Sequence, residues 1–133
     1  MSLVTLGAVL KFAVKIEDQA KEFYENNIDC EDFKNLLPQY EKRIKKLIRV
    51  RRENTTEMIL EPIKDFSPNL YQIAQQIEEN VKSFSLSIIG KKIERTIGDF
   101  YSEAAKKIAF LSEVATLFDD ISADHYKNSD TIK

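Results

Sequence analysis

The sequence predicts an all-α fold: an antiparallel bundle of four long helices with one long connection in mid-chain. Three observations carry that prediction. Glycine and proline are scarce, 3 of each in 133 residues, whereas an all-β sandwich or barrel of this size needs many turns. Apolar side chains make up 43% of the chain and recur at helical spacing nearly throughout. The one long stretch without that spacing lies in the middle, around Pro62. The length fits a single domain, residues 1–133, because domains typically run to roughly 100–200 residues.

The first helix is predicted over residues 4–26, where Leu6, Leu10, Ala13, Ala20 and Tyr24 share one face. Asp29 is the expected N-cap of the second, with Glu31 and Asp32 adding negative charge to its first turn. In that helix Phe33, Leu37, Tyr40, Ile44 and Leu47 step by four and three, a heptad-like seam in which Pro38 predicts a kink or a restart. It fades at residues 54–56, and a connecting segment follows over 57–67. Ser67-Pro68 reads as an N-cap with proline at the first helical position, opening a shorter helix over 70–82. The third long helix is predicted over 85–105, striped by Ile89, Ile93, Ile97, Phe100 and Ala104. The fourth is predicted over 110–126, striped by Leu111, Ala115, Phe118, Ser122 and His125, with a frayed polar tail after Asn128. Helices of about twenty residues are about 30 Å long. The stretch 55–83 is long enough to cross the bundle's full length, which would set the second and third long helices parallel.

Composition excludes several chemistries. One cysteine cannot form an internal disulfide, and one cysteine with one histidine cannot supply a Cys/His zinc site. Gly7, Gly90 and Gly98 are too scattered for a phosphate-binding loop. Cys30 sits among Asp29, Glu31 and Asp32, which do not favour a thiolate. Ser122 and His125 lack an orienting acid that would suggest a hydrolase. Net charge is −2, which disfavours a dedicated nucleic-acid or membrane partner. The stretch from Lys42 to Arg52 is strongly basic, and on a helix Lys42, Lys45, Lys46, Arg49 and Arg52 form one broad face. It reads first as a solvated face, secondly as an electrostatic patch for nucleic acid, an anionic partner or a membrane surface. No apolar run is long enough for a transmembrane helix, and the N-terminus lacks a signal peptide's basic start. With a lone cysteine, these features predict a cytoplasmic protein.

The most specific feature is an internal repeat. Lys15-Ile16-Glu17 precedes Phe23-Tyr24 by five residues, and Lys92-Ile93-Glu94 precedes Phe100-Tyr101 by the same five, at an offset of 77. Both glutamates fall inside an apolar stripe, Glu17 between Ala13 and Ala20, Glu94 between Gly90 and Ile97. His125 continues the stripe of the last helix. Buried carboxylates need a counter-charge or a proton. Two carboxylates and an imidazole converging on one layer therefore predict a metal, a basic partner, or shared protons.

This pattern resembles the ferritin-like superfamily, most of all its small rubrerythrin-type members, over nearly the whole chain. The resemblance implies a ferritin-like bundle with a crossover after the second helix. It also implies a di-iron or related di-metal centre, held by one Glu from each of the first and third helices and a Glu-x-x-His from each of the others. Carried over, Glu17 and Glu94 match the single glutamates and His125 the last histidine, while Ser122 stands where that motif has its Glu. In the second helix the inward pair is either Tyr40-x-x-Arg43 or Glu41-x-x-Ile44, so a metal set would be Glu17, Glu94, His125 and Glu41. If Arg43 is the inward residue, its guanidinium can fork onto both glutamates, replacing the metal cation, and Tyr24, Tyr40 and Tyr101 can donate to the same carboxylates.

Three functions follow as expectations. The first is a non-catalytic structural or binding module with a degenerate site and no cofactor. The second is an iron or manganese oxidoreductase or metal-handling protein with an altered site. The third is a partner- or nucleic-acid-binding module using the basic face. Missing ligands in the second helix favour the first. A homodimer is compatible with such a bundle.

Overall fold

A computed structural model describes residues 2–54 and 62–133. Among them are five α-helices and no strand: α1 Leu6–Asn26, α2 Glu31–Glu53, α3 Ile73–Asn80, α4 Leu86–Lys107 and α5 Ser112–Thr131. The part of the expected connection that covers residues 55–61 lies outside the described residues. No helix among the described residues is long and apolar enough to cross a membrane.

Local chemistry sets several helix ends. Thr5 caps α1, its Oγ1 accepting from the Ala8 N–H at 3.0 Å. Ser85 caps α4 in the same way for Ile88, at 3.4 Å. α2 differs from expectation, because its N-cap is Cys30 rather than Asp29 and makes no side-chain bond. Glu31 and Asp32 in its first turn still favour the positive end of the helix dipole. Pro38 lies inside α2 without ending it. Its missing N–H would have faced Lys34, and both residues are exposed, so water can serve that carbonyl.

The short helix begins later than the sequence suggests. Ser67-Pro68 leads into a 3-10 turn over Asn69–Tyr71, and extended Gln72 separates it from α3. Aromatic packing holds this arrangement: Phe66 stacks on Phe100 at 5.5 Å, and Tyr71 meets the Phe100 ring edge-on at 5.5 Å. The N-terminal residues are tied to the same segment, Leu3 donating to the Phe66 carbonyl and Ile63 to that of Val4.

The C-terminus is docked, not frayed. α5 continues to Thr131, with Asn128, Ser129 and Ile132 buried. Ser129 Oγ donates to the Lys91 carbonyl at 3.1 Å, and the Lys133 N–H donates to Asp32 at 3.0 Å. The polar tail hid this, since the buried Asn128 and Ser129 are satisfied by hydrogen bonds to partners remote in sequence, with Ile132 joining the apolar core.

Short turns make α1/α2 and α4/α5 into two antiparallel hairpins, closed by Cys30 N–H to Asn27 and Leu111 N–H to Ile108. The hairpins meet face to face. Contacts of Phe12 with Phe100 and of Tyr24 with Glu94 set α1 antiparallel to α4. Contacts of Gln39 with Asn128 and of Asp32 with Lys133 do the same for α2 and α5. α2 and α4 consequently run in one direction. Two glycines of α4 allow close approach: a Cβ on Gly90 would lie 2.6 Å from a Phe33 ring carbon, and one on Gly98 2.8 Å from a Tyr126 ring carbon.

Candidate functional site

The two repeat glutamates are fully buried at the centre of the fold. Each sits mid-helix, on the stripe that its hairpin turns toward the other hairpin. The repeats then exchange partners: Tyr24 of the first donates to Glu94 Oε2 at 2.6 Å, and Tyr101 of the second donates to Glu17 Oε2 at 2.9 Å. Tyr40 of α2 also donates to Glu94 Oε2.

His125 bridges the carboxylates. Its Nε2 lies 2.8 Å from Glu17 Oε2 and its Nδ1 2.8 Å from Glu94 Oε1. An ionised carboxylate only accepts, so both ring nitrogens must donate, and an imidazole with two N–H groups is an imidazolium. Burial pushes the His125 pKa down, but Glu17 and Glu94 together outweigh it and the net shift is upward. The same balance acts on the glutamates. Burial raises Glu17, yet His125 and Arg43 hold its carboxyl down to about 2. Burial also raises Glu94, and His125 with the two tyrosines brings it below its ordinary value. Burial, then the neighbouring carboxylate charge, pushes Tyr24, Tyr40 and Tyr101 well above 10.0, which keeps them protonated donors.

Arg43 is the second cation. α2 turns Tyr40 and Arg43 inward and leaves Glu41 exposed, so the ambiguous register resolves as Tyr40-x-x-Arg43. The guanidinium does not fork onto both glutamates. Its Nε donates to Glu17 Oε1 at 2.9 Å, Nη1 reaches Gln39 at 3.3 Å, and Nη2 has no partner among the described residues. The group also lies 4.4 Å over the Tyr40 ring. Two carboxylates thus face two cations, and the buried quartet is neutral. Ser122, standing where the resemblance wants a Glu, donates to the Gly98 carbonyl at 2.8 Å instead.

No family model, curated protein or solved structure matches the chain. Of the four candidate ligands, the structure brings Glu17, Glu94 and His125 together and leaves Glu41 outside. All four carboxylate oxygens accept hydrogen bonds, and both imidazole nitrogens are engaged. A metal ion needs those lone pairs and a neutral imidazole. As arranged, these residues do not fit a mono- or di-metal centre; among the described residues no group of three or more His, Cys, Asp or Glu side chains is set to hold a metal.

The site has two further members, Asn128 and Gln39, that the sequence pattern does not single out. Asn128 Nδ2 donates to Glu94 Oε1 at 3.1 Å and to Gln39 Oε1 at 2.9 Å. Asn128 lies three residues after His125, a spacing that marks the same helix face. Gln39 carried no such signal, being an exposed residue recruited from the edge of α2. Chemically the arrangement stores charge rather than presenting it: no member with a shifted pKa is both near neutrality and open to a substrate.

Proposed function

We propose that this chain is a ferritin-like four-helix bundle, with its crossover in the segment between α2 and α4, that works without a metal as a non-catalytic structural or binding module. The observation that carries this reading is the saturation of the buried donors: Arg43 and His125 supply the positive charge that a metal would, and Tyr24, Tyr40, Tyr101 and Asn128 take up the remaining carboxylate capacity. The up-down-down-up order of α1, α2, α4 and α5 supports the ferritin-like topology, by analogy of fold. A lone Cys30 suits a reducing, cytoplasmic setting.

Metal analysis of protein purified from medium containing iron and manganese tests the reading. The expected result is no stoichiometric metal and a melting temperature indifferent to chelator. Stoichiometric iron or manganese, lost together with stability in a His125→Gln variant, would overturn it in favour of an altered metalloprotein. The third expectation, a basic docking face on α2, gains nothing specific: Lys42 and Lys46 share their groove with Asp120 and Asp124.

A further inference from the structure

The α1/α2 turn and the α3/α4 turn lie at the same end of the molecule. α1 is antiparallel to α4, so its last turn meets the first turn of α4. α3 runs alongside α1, from Ala74, whose N–H donates to Gln19 at 3.2 Å, to Ile77, which shares a cleft with Phe23 and Asn26. At this end Ile28, Val81, Phe84, Leu86 and Ile88 are each 40–48% exposed, more than half of the large apolar side chains that the described residues expose. A lone exposed apolar residue needs no explanation, but a group of them at one end marks an interaction surface. Leu86 lies one turn before Gly90 on the stripe that meets Phe33 of α2, and so carries the apolar surface from the α3/α4 turn toward Ile28.

The charges flanking this patch differ in sign on its two sides. On the Ile28 side, a depression of about 350 Å³ is lined by Ile28, Asp29, Glu31, Lys34 and Asn35, two carboxylates against one lysine. On the other side the α3/α4 turn projects as a lobe, Val81-Lys82-Ser83-Phe84, every residue of it exposed. Lys92 lies over the Phe84 ring at 4.4 Å, so Lys82 and Lys92 make the lobe basic. Glu78 and Glu79 lie a turn back along α3, Glu79 accepting from Gln75 at 3.1 Å. None of Asp29, Glu31, Lys82 and Lys92 has an ion-pair partner among the described residues. A surface acidic on one side and basic on the other is complementary to itself under a two-fold rotation. That rotation sets the basic lobe of each copy over the acidic depression of the other and closes the apolar residues between them. A lipid surface fits less well, because anionic head groups that attract Lys82 and Lys92 would repel Asp29 and Glu31.

We infer that this end is the interface of a two-fold dimer, the Lys82-Ser83-Phe84 lobe of each copy seated in the depression of Ile28, Asp29 and Glu31 on the other. The inference goes beyond the metal-free reading and does not depend on it, since every interface residue lies outside the buried quartet. A patch confined to two turns and the start of α4 predicts a weak dimer, with dissociation in the micromolar range.

Sedimentation velocity of the full chain over a micromolar concentration series tests it, and a monomer–dimer equilibrium is expected. Phe84→Ser should weaken the dimer by about tenfold or more, the loss typical of an aromatic anchor. Lys82→Glu alone and Asp29→Lys alone should each weaken it by a similar factor. An equimolar mixture of those two variants should dimerise again, because each reversed charge then meets its opposite. All three positions are exposed, so the fold survives each change. A chain that stays monomeric throughout the series, a dimer indifferent to Phe84→Ser or to either charge reversal, or a mixture that fails to recover it would each overturn the inference. So would a monomer that co-sediments with phosphatidylglycerol vesicles, which would give the patch to a lipid surface instead.

Discussion

The two hairpins carry the same carboxylate and tyrosine at matching repeat positions, yet they neutralise the shared core with different cations. The α1/α2 hairpin supplies Arg43, permanently charged and at the edge of the α2–α5 groove. The α4/α5 hairpin supplies His125, fully buried and titratable. Arg43 touches only its own hairpin's glutamate, while His125 touches both. Of the two cations, His125 therefore ties the halves together, whereas Arg43 balances charge within its own. Glu17 consequently faces two cations and Glu94 one, with neutral donors making up the difference.

That asymmetry predicts unequal costs for the two matching mutations. Removing one member of a buried ion pair typically costs about 3–5 kcal/mol, because its partner is left uncompensated. Glu17→Gln leaves Arg43 without its carboxylate and weakens His125, so it should fall at the top of that range. Glu94→Gln disturbs one cation and should cost less. Chemical denaturation of both variants measures the difference, and a larger loss for Glu94→Gln would break the assignment of roles.

The cations should also separate by pH. Glu17 titrates at about 2 in the fold against an ordinary 4.5. Its contribution is complete above the ordinary value and is lost as pH falls toward 2, a loss on the order of 3 kcal/mol. His125 has the opposite sign. Its pKa is raised from 6.5, so its contribution is complete below that value and is lost as pH rises through the higher folded value. Arg43 does not titrate over this range. Denaturation midpoints across pH should thus fall on both sides, and a His125→Gln variant should lose the alkaline fall and keep only a reduced acid one, since Arg43 then holds Glu17 down without the imidazolium. A retained alkaline fall would assign it to some other group.

Smaller effects belong to the exchanged tyrosines. A hydrogen bond to a charged group contributes about 1.5–3 kcal/mol. Tyr24→Phe leaves Glu94 Oε2 with Tyr40, whereas Tyr101→Phe leaves Glu17 Oε2 with His125 alone and removes the ring's O–H beside the imidazole stack. Tyr101→Phe should be the costlier by thermal melting, and equal losses would make the two halves more alike than the cations suggest.

Much of this was legible in the sequence, for physical reasons that also mark where reading stopped. Helical periodicity located the four long helices, and the phase of Glu17, Glu94 and His125 placed all three inside. The partnership of Arg43 was foreseen only conditionally, since one residue of register separates Tyr40-x-x-Arg43 from Glu41-x-x-Ile44 and the heptad-like seam of α2 admits both. Its fork onto two glutamates failed because His125 already spans them. Asn128 and the last turn of α5 were missed for another reason. Their burial depends on partners remote in sequence, Glu94 for Asn128 and Lys91 for Ser129, and polar composition alone looks like a frayed end.

The two α4 glycines give the mildest test, comparing the seam between hairpins with the seam inside one. Alanine favours a helix over glycine by about 1 kcal/mol, while overpacking costs about 1–3 kcal/mol where neighbours cannot move. At Gly90 the obstacle is Phe33 of the other hairpin, fully buried and packed against the rings of Phe23 and Tyr24. At Gly98 it is Tyr126 of the same hairpin, half-buried and bonded through its hydroxyl to exposed Asp99. Tyr126 can swing toward solvent, so Gly98→Ala should be close to neutral by calorimetry. Phe33 cannot, so Gly90→Ala should be destabilising. The reverse order would mean that the interface between the halves yields more easily than the contacts within the C-terminal one, and the central ion quartet would then have to hold the hairpins together with less help from packing.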